Sequence, residues 1–189
     1  MSAQLLCFSS NSLIIKSCCV NLLQFGGYSR DLGKKYTPSP NDKFARGGIP
    51  TKMDVNQSQI ANTCVFSAIS YMAQIFGQNV TQGEAITEYW KIAGEYPQDG
   101  VNSTFLYELL EFYFNVSPCN NSIASINNGD IVYATASVDG GGHAIVFVGY
   151  DSTDNSIIFM DPMSGTLRQE DESNPFMGIT FYAIREKTK

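Results

Sequence analysis

The hydrophobic pattern of this chain changes period once, close to Cys119, and that change limits the fold more than anything else in the sequence. Before it, apolar residues recur at helical spacing. Cys64 to Phe76 is apolar on nearly every side (Val65, Phe66, Ala68, Ile69, Tyr71, Met72, Ile75), which predicts a helix buried all round. Asn62 or Thr63 stands where a cap would start it, and Gly77 where a left-handed residue would close it. Thr81-x-x-Glu84 is a capping box for a second helix, through about Ala93. Ser103 is placed to cap a third, over which Leu106, Leu109, Leu110, Tyr113 and Phe114 repeat. After Cys119 come turn clusters, Asn120-Asn121-Ser122 and Asn127-Asn128-Gly129-Asp130, and then strand patterns at 131–136, 144–150, 157–160 and 179–184. Helices first and strands second predict an α+β fold with an antiparallel sheet, not alternating βαβ units.

Length and composition set the outer bounds. A chain of 189 residues fits one domain with a terminal extension. Residues 31–53, with Pro38-Ser39-Pro40-Asn41-Asp42 and Gly47-Gly48-Ile49-Pro50, read as loop or extended linker. The division expected is therefore an N-terminal extension or linker at 1–47 and a compact domain at 48–189. A formal charge of −6 lacks the basic footprint of a nucleic-acid binder. No segment has the roughly 18 apolar residues of a membrane span. The N-terminal stretch matches a signal peptide poorly, since Ser9-Ser10-Asn11-Ser12 and Lys16 break it and no positive charge precedes it. A cytoplasmic location is the default expectation, with secretion as the alternative. The five cysteines, Cys7, Cys18, Cys19, Cys64 and Cys119, are odd in number and lack zinc-ligand spacing.

One histidine, His143, limits the chemistry. It excludes a multi-histidine metal site within one chain, and any imidazole catalysis must use this residue. It follows Gly140-Gly141-Gly142 and opens the apolar run Ala144–Tyr150. Taken alone, a histidine beside a strand is more often structural. The glycines, though, suit a loop that another backbone or a substrate approaches closely. Asp161 ends the next apolar strand, and Asp161-Pro162 by itself is an ordinary turn start. If 144–150 and 157–160 pair through a turn at 151–156, the end of the second strand lies beside the start of the first. Asp161 would then sit near His143, where a carboxylate can orient the imidazole.

Cys64, at a helix start, would face free backbone N–H groups and the positive end of the helix dipole, which favour a thiolate. A thiolate is the nucleophile in thiol catalysis, although a buried core cysteine is the commoner case. Gln57 and Gln59 lie just upstream. Either side-chain amide could donate to a developing oxyanion together with the Cys64 backbone N–H.

Three stretches together resemble a known family. Gln57-x6-Cys64-Val-Phe-Ser-Ala-Ile-Ser-Tyr-Met looks like the glutamine-then-cysteine helix start of papain-like cysteine peptidases. Gly141-Gly142-His143-Ala-Ile-Val-Phe-Val-Gly-Tyr-Asp151 looks like their histidine strand. Met160-Asp161-Pro162-Met163-Ser164-Gly165 resembles the Asp-Pro-x-x-Gly turn of the bacteriocin-leader-processing branch and its bacterial relatives. The likeness covers roughly residues 50–185. It implies a papain-like fold, with an N-terminal helical lobe followed by an antiparallel β-sheet lobe. It also implies Cys64 as nucleophile, His143 as general acid/base, Asp161 as its orienter and a glutamine in the oxyanion hole. Substrates would be peptides or proteins, with no metal or organic cofactor. The chain departs from the pattern in two places. Gln57 is seven residues before Cys64 and Gln59 five, where the family usually has six; Gln57 fits better, with Gln59 as the alternative. Val65 stands where many members have Gly or Trp. The same machinery also serves acyl transfer, transglutamination and deamidation, all through a thioester, and a papain-like binding module without turnover is the non-enzymatic alternative.

Overall fold

The computed structural model describes residues 32–39, 48–53, 63–98, 100–138, 141–174 and 180–188. Three helices come first: α1 (Cys64–Ile75), α2 (Gln82–Ala93) and α3 (Ser103–Tyr113). A short strand β1 (Lys34–Lys35) precedes them. Then follow β2 (Asn115–Pro118), α4 (Ser122–Asn127), β3 (Ile131–Val138), β4 (Gly141–Asp151), β5 (Ser156–Asp161), β6 (Thr166–Asp171) and β7 (Thr180–Arg185). The seven described strands form one sheet in the order β1-β6-β5-β4-β3-β7-β2, every pair antiparallel. The α+β arrangement with helices first is therefore the one the hydrophobic pattern predicts.

α1 is the central helix. All ten residues from Cys64 to Ala73 are buried, as a helix apolar on every side must be. It ends in a Schellman motif: Gly77 takes φ +68, its N–H reaches the Gln74 carbonyl, and the Gln78 N–H reaches that of Ala73. The polar groups buried along α1 are paired outward. Ser70 donates to the Val80 carbonyl at 2.6 Å, Tyr71 to that of Pro50 at 2.7 Å, and Gln82 from α2 donates to Ser67 Oγ at 3.0 Å. Burying Phe66, Ile69 and Met72 contributes roughly 2 kcal/mol each, so α1 is held by packing, not by its ends. α2 begins with the full Thr81–Glu84 capping box. In α3 the cap is Asn102, whose side chain accepts from the Thr104 N–H, and Ser103 is the first helical residue.

The sheet is covered on both faces, which is why its central strands read as continuous apolar runs and not as alternating ones. Tyr133, Ala144, Val146, Ile158 and Met160 pack with the α1–α3 helices. Val132, Ala134, Ile145, Phe147 and Phe159 form a second cluster with Leu32, Cys119 and Ile126 of α4. α4 falls where the sequence suggested only turns; its cap, Asn121, accepts from the Ala124 N–H. β1 lies within 1–47, the stretch expected to be extension or linker. Lys34 and Lys35 pair with Gln169 and Arg168, and the Tyr36 N–H donates to Leu167, so this part of the stretch joins the sheet as an edge.

Candidate active site

The β4–β5 hairpin sets the geometry. Its residues pair as Phe147 with Phe159 and Val146 with Met160. One step further along the same register, Asp161 lies opposite Ile145. His143 is two residues beyond Ile145, hence on the same face and diagonal to Asp161. An imidazole can span such a diagonal, and His143 Nε2 stands 2.8 Å from Asp161 Oδ1. Both residues are buried, at 5% and 4% exposure. An ionised carboxylate only accepts, so the ring nitrogen is the donor.

Asp161 is fixed from several sides. The Met163 N–H donates to Oδ1 at 2.9 Å, and the Gly165 N–H to the Asp161 carbonyl at 2.8 Å. The turn closes through Gly165, at φ +62. Outside it, Lys52 bridges to Thr166 and the Met53 N–H donates to the Gly165 carbonyl. Tyr71 of α1 ties in Pro50 next door. Burial pushes the Asp161 carboxyl up. The hydrogen bond and charge of His143, the Met163 N–H and the positive charge of Arg168 together outweigh it, and the carboxyl lies below its ordinary value.

Cys64 is the first residue of α1 and is buried, at 4% exposure. α1 packs against β4 through the face that carries Ala144 and Val146, and His143, which shares the parity of Ile145, stands at the start of that strand. Thr63 occupies the N-cap position, but its side chain makes no capping hydrogen bond. By contrast, α2, α3 and α4 are each capped by a side chain, those of Thr81, Asn102 and Asn121. The backbone donors at the Cys64 end of α1 are therefore not taken up by a Thr63 cap. Gln57, Gln59 and Asn62 lie outside the described residues. The chain enters that stretch from Met53, at the Asp161–Gly165 turn, and leaves it at Thr63, beside Cys64.

The sequence reading missed Arg168, whose charge acts on Asp161 from β6. It also missed the hold of Tyr71 on Pro50. Among the described residues, no group of three or more His, Cys, Asp or Glu side chains could hold a metal ion, and no helix is long and apolar enough to cross a membrane.

A solved structure shares the fold. The peptidase domain of Streptococcus ComA, described as a bifunctional ABC transporter involved in a quorum-sensing pathway, superposes with a TM-score of 0.54 at 15% identity. The match covers 74% of this chain and all of that domain. No curated protein sequence matches the chain. The sequence profile of the Peptidase_C39 like family matches residues 52–187, a span that takes in α1, the β4–β5 hairpin and the Asp161 turn. The chain belongs to the Peptidase_C39 like family and is a papain-like cysteine peptidase.

Proposed function

We propose that Cys64, His143 and Asp161 act as a catalytic triad that hydrolyses peptide bonds through a thioester acyl-enzyme, and that residues 48–189, with the β1 segment added at the sheet edge, form the peptidase domain. The observation that carries this reading is the buried His143–Asp161 pair at 2.8 Å, on the strand against which the Cys64 helix packs. Asp161 occupies Nε2, so Nδ1 is the nitrogen that exchanges a proton with the thiol. The Cys64 S–H proton passes to Nδ1, and the thiolate attacks the substrate carbonyl carbon. The oxyanion is met by N–H groups at the start of α1 and by Gln57, or Gln59 as the alternative. The imidazolium then gives its proton to the leaving amine as the C–N bond breaks. Water, deprotonated by the same nitrogen, releases the acyl group and regenerates the thiol. Asp161 keeps the ring in the required tautomer and stabilises its charged form.

The test is hydrolysis of a broad library of internally quenched peptides, with products identified by mass spectrometry in the presence and absence of added amines. Cleavage by the wild type, lost in Cys64→Ala, supports the reading. Cleavage that survives Cys64→Ala refutes it. Amide products in place of acids would reassign the same triad to acyl transfer.

A further inference from the structure

We propose that the groove between α3 and the edge strand β2 is a docking site for a basic amphipathic helix of a partner peptide. The groove has a volume of about 580 Å³. Ile92 of α2, Phe112 of α3 and Val116 of β2 give it an apolar floor. Phe112 is 51% exposed, although its ring stacks edge-on against Tyr113 at 4.8 Å. Glu108 and Glu111 stand beside it. Steps of three and four residues return to one helix face, so Glu108, Glu111 and Phe112 form a single stripe on the outside of α3. The groove stands apart from His143. Arg185 and Asn115 border it at the Ile131 end of β3, whereas His143 pairs with Ala136, roughly 16 Å further along that strand. The proposal therefore does not depend on the triad.

Charge decides what fits. The other charged groups lining the groove are already engaged. Glu88 pairs with Lys91 at 2.7 Å, and Arg185 with Asp130 through two hydrogen bonds. Lys187 Nζ donates to the Glu111 and Phe112 carbonyls at 2.9 and 3.2 Å, at the negative end of α3. The Glu108 and Glu111 carboxylates have no hydrogen-bond or ion-pair partner among the described residues. Their complement is a pair of lysines or arginines one helical turn apart, next to a large apolar side chain for Phe112. An added β-strand is a poorer occupant. Pro118 has no N–H to offer along the β2 edge, and the Tyr107 hydroxyl donates to the Val116 carbonyl at 3.4 Å. A second copy is poorer still. None of the four described helices carries more than one lysine or arginine, and two chains of formal charge −6 repel.

The experiment is the fluorescence anisotropy of a fluorescein-labelled leucine–lysine helical peptide titrated with the full-length protein. The parent protein carries Cys64→Ala, so that the probe is not cut. Binding is expected, and it should weaken as salt rises from about 0.05 M to about 0.5 M. Glu108→Lys with Glu111→Lys should raise Kd by at least about tenfold, and Phe112→Ala by roughly fivefold. Glu170→Lys with Glu172→Lys makes the same change of net charge at β6, on the far side of the sheet, and should alter Kd by less than about twofold. The proposal is overturned if the parent does not bind, if the β6 pair loses as much affinity as the α3 pair, or if a leucine–glutamate peptide binds equally well. If the α3 lysine pair does not fold, Glu108→Gln with Glu111→Gln decides: a Kd within about twofold of the parent also overturns it.

Discussion

Among the described residues, two acid–base pairs join neighbouring segments, and the shorter one is not the candidate site. Arg185 grips Asp130 with two hydrogen bonds, at 2.6 and 2.9 Å. His143 makes a single contact with Asp161 at 2.8 Å. The Arg185 side chain, however, is 62% exposed, whereas those of His143 and Asp161 are 7% and 6% exposed. Solvent reaches the guanidinium of the first pair and partly screens it, although the Asp130 side chain is only 8% exposed. The second lies where charge is costly unless it is partnered, and one of its members is an imidazole, the side chain that ordinarily titrates near neutrality. A guanidinium cannot hand over a proton in a reaction. Burial combined with exchangeable charge, and not distance, separates the pair that can do chemistry from the pair that ties β7 to the start of β3.

That contrast can be broken by mutation. The largest effect expected is from His143→Ala, which should lower peptide hydrolysis by on the order of a thousandfold or more. Arg185→Ala should leave kcat/KM within about twofold of the wild type. Equal losses in the two variants, measured on one substrate, would erase the distinction. Asp161→Asn comes next. The ring keeps a neighbour but loses the charge that stabilises imidazolium, and activity should fall on the order of a hundredfold. Asp130→Asn should instead lower the thermal midpoint and spare catalysis.

A smaller effect concerns acid stability. The Asp161 carboxyl lies below its ordinary value in the fold, so it holds a proton less tightly folded than unfolded. Its contribution to stability is present above the ordinary carboxylate range and is lost as pH falls through the lowered folded value. The thermal midpoint should therefore drop less steeply toward acid in Asp161→Asn than in the wild type. The exposed Glu84 and Asp171, also lowered, continue to contribute in both. The smallest effect is that of salt. Raising ionic strength to about 1 M should reduce the difference in midpoint between wild type and Arg185→Ala, and leave that between wild type and Asp161→Asn nearly unchanged.

The two pairs also differ in how far the sequence reveals them. His143 and Asp161 can be placed together because two apolar strands and a short turn fix register and side-chain parity at once. α1 and the α2 capping box are legible for the same reason, since strong periodicity and specific cap chemistry agree. Arg168 is hidden because β6, Thr-Leu-Arg-Gln-Glu-Asp, carries one apolar residue and buries a cation, so no alternation marks it as a strand. α4 is hidden because Asn121 serves equally as a turn residue and as a cap. β1 is two lysines whose pairing is set wholly by the partner strand. Gln57 and Gln59, the choice for the oxyanion hole, differ by a spacing that only the course of the loop before Cys64 decides.

The central claim is that one histidine, held by one buried carboxylate, activates Cys64. Alkylation of Cys64 by a thiol-directed epoxide at about pH 6 tests it most directly, with buried Cys119 in the same molecule as the internal reference. Cys64 should be labelled at least about tenfold faster than Cys119 in the wild type, and His143→Ala should remove this advantage. Cys64 labelling that is no faster than Cys119, or that is unchanged in His143→Ala, would contradict it.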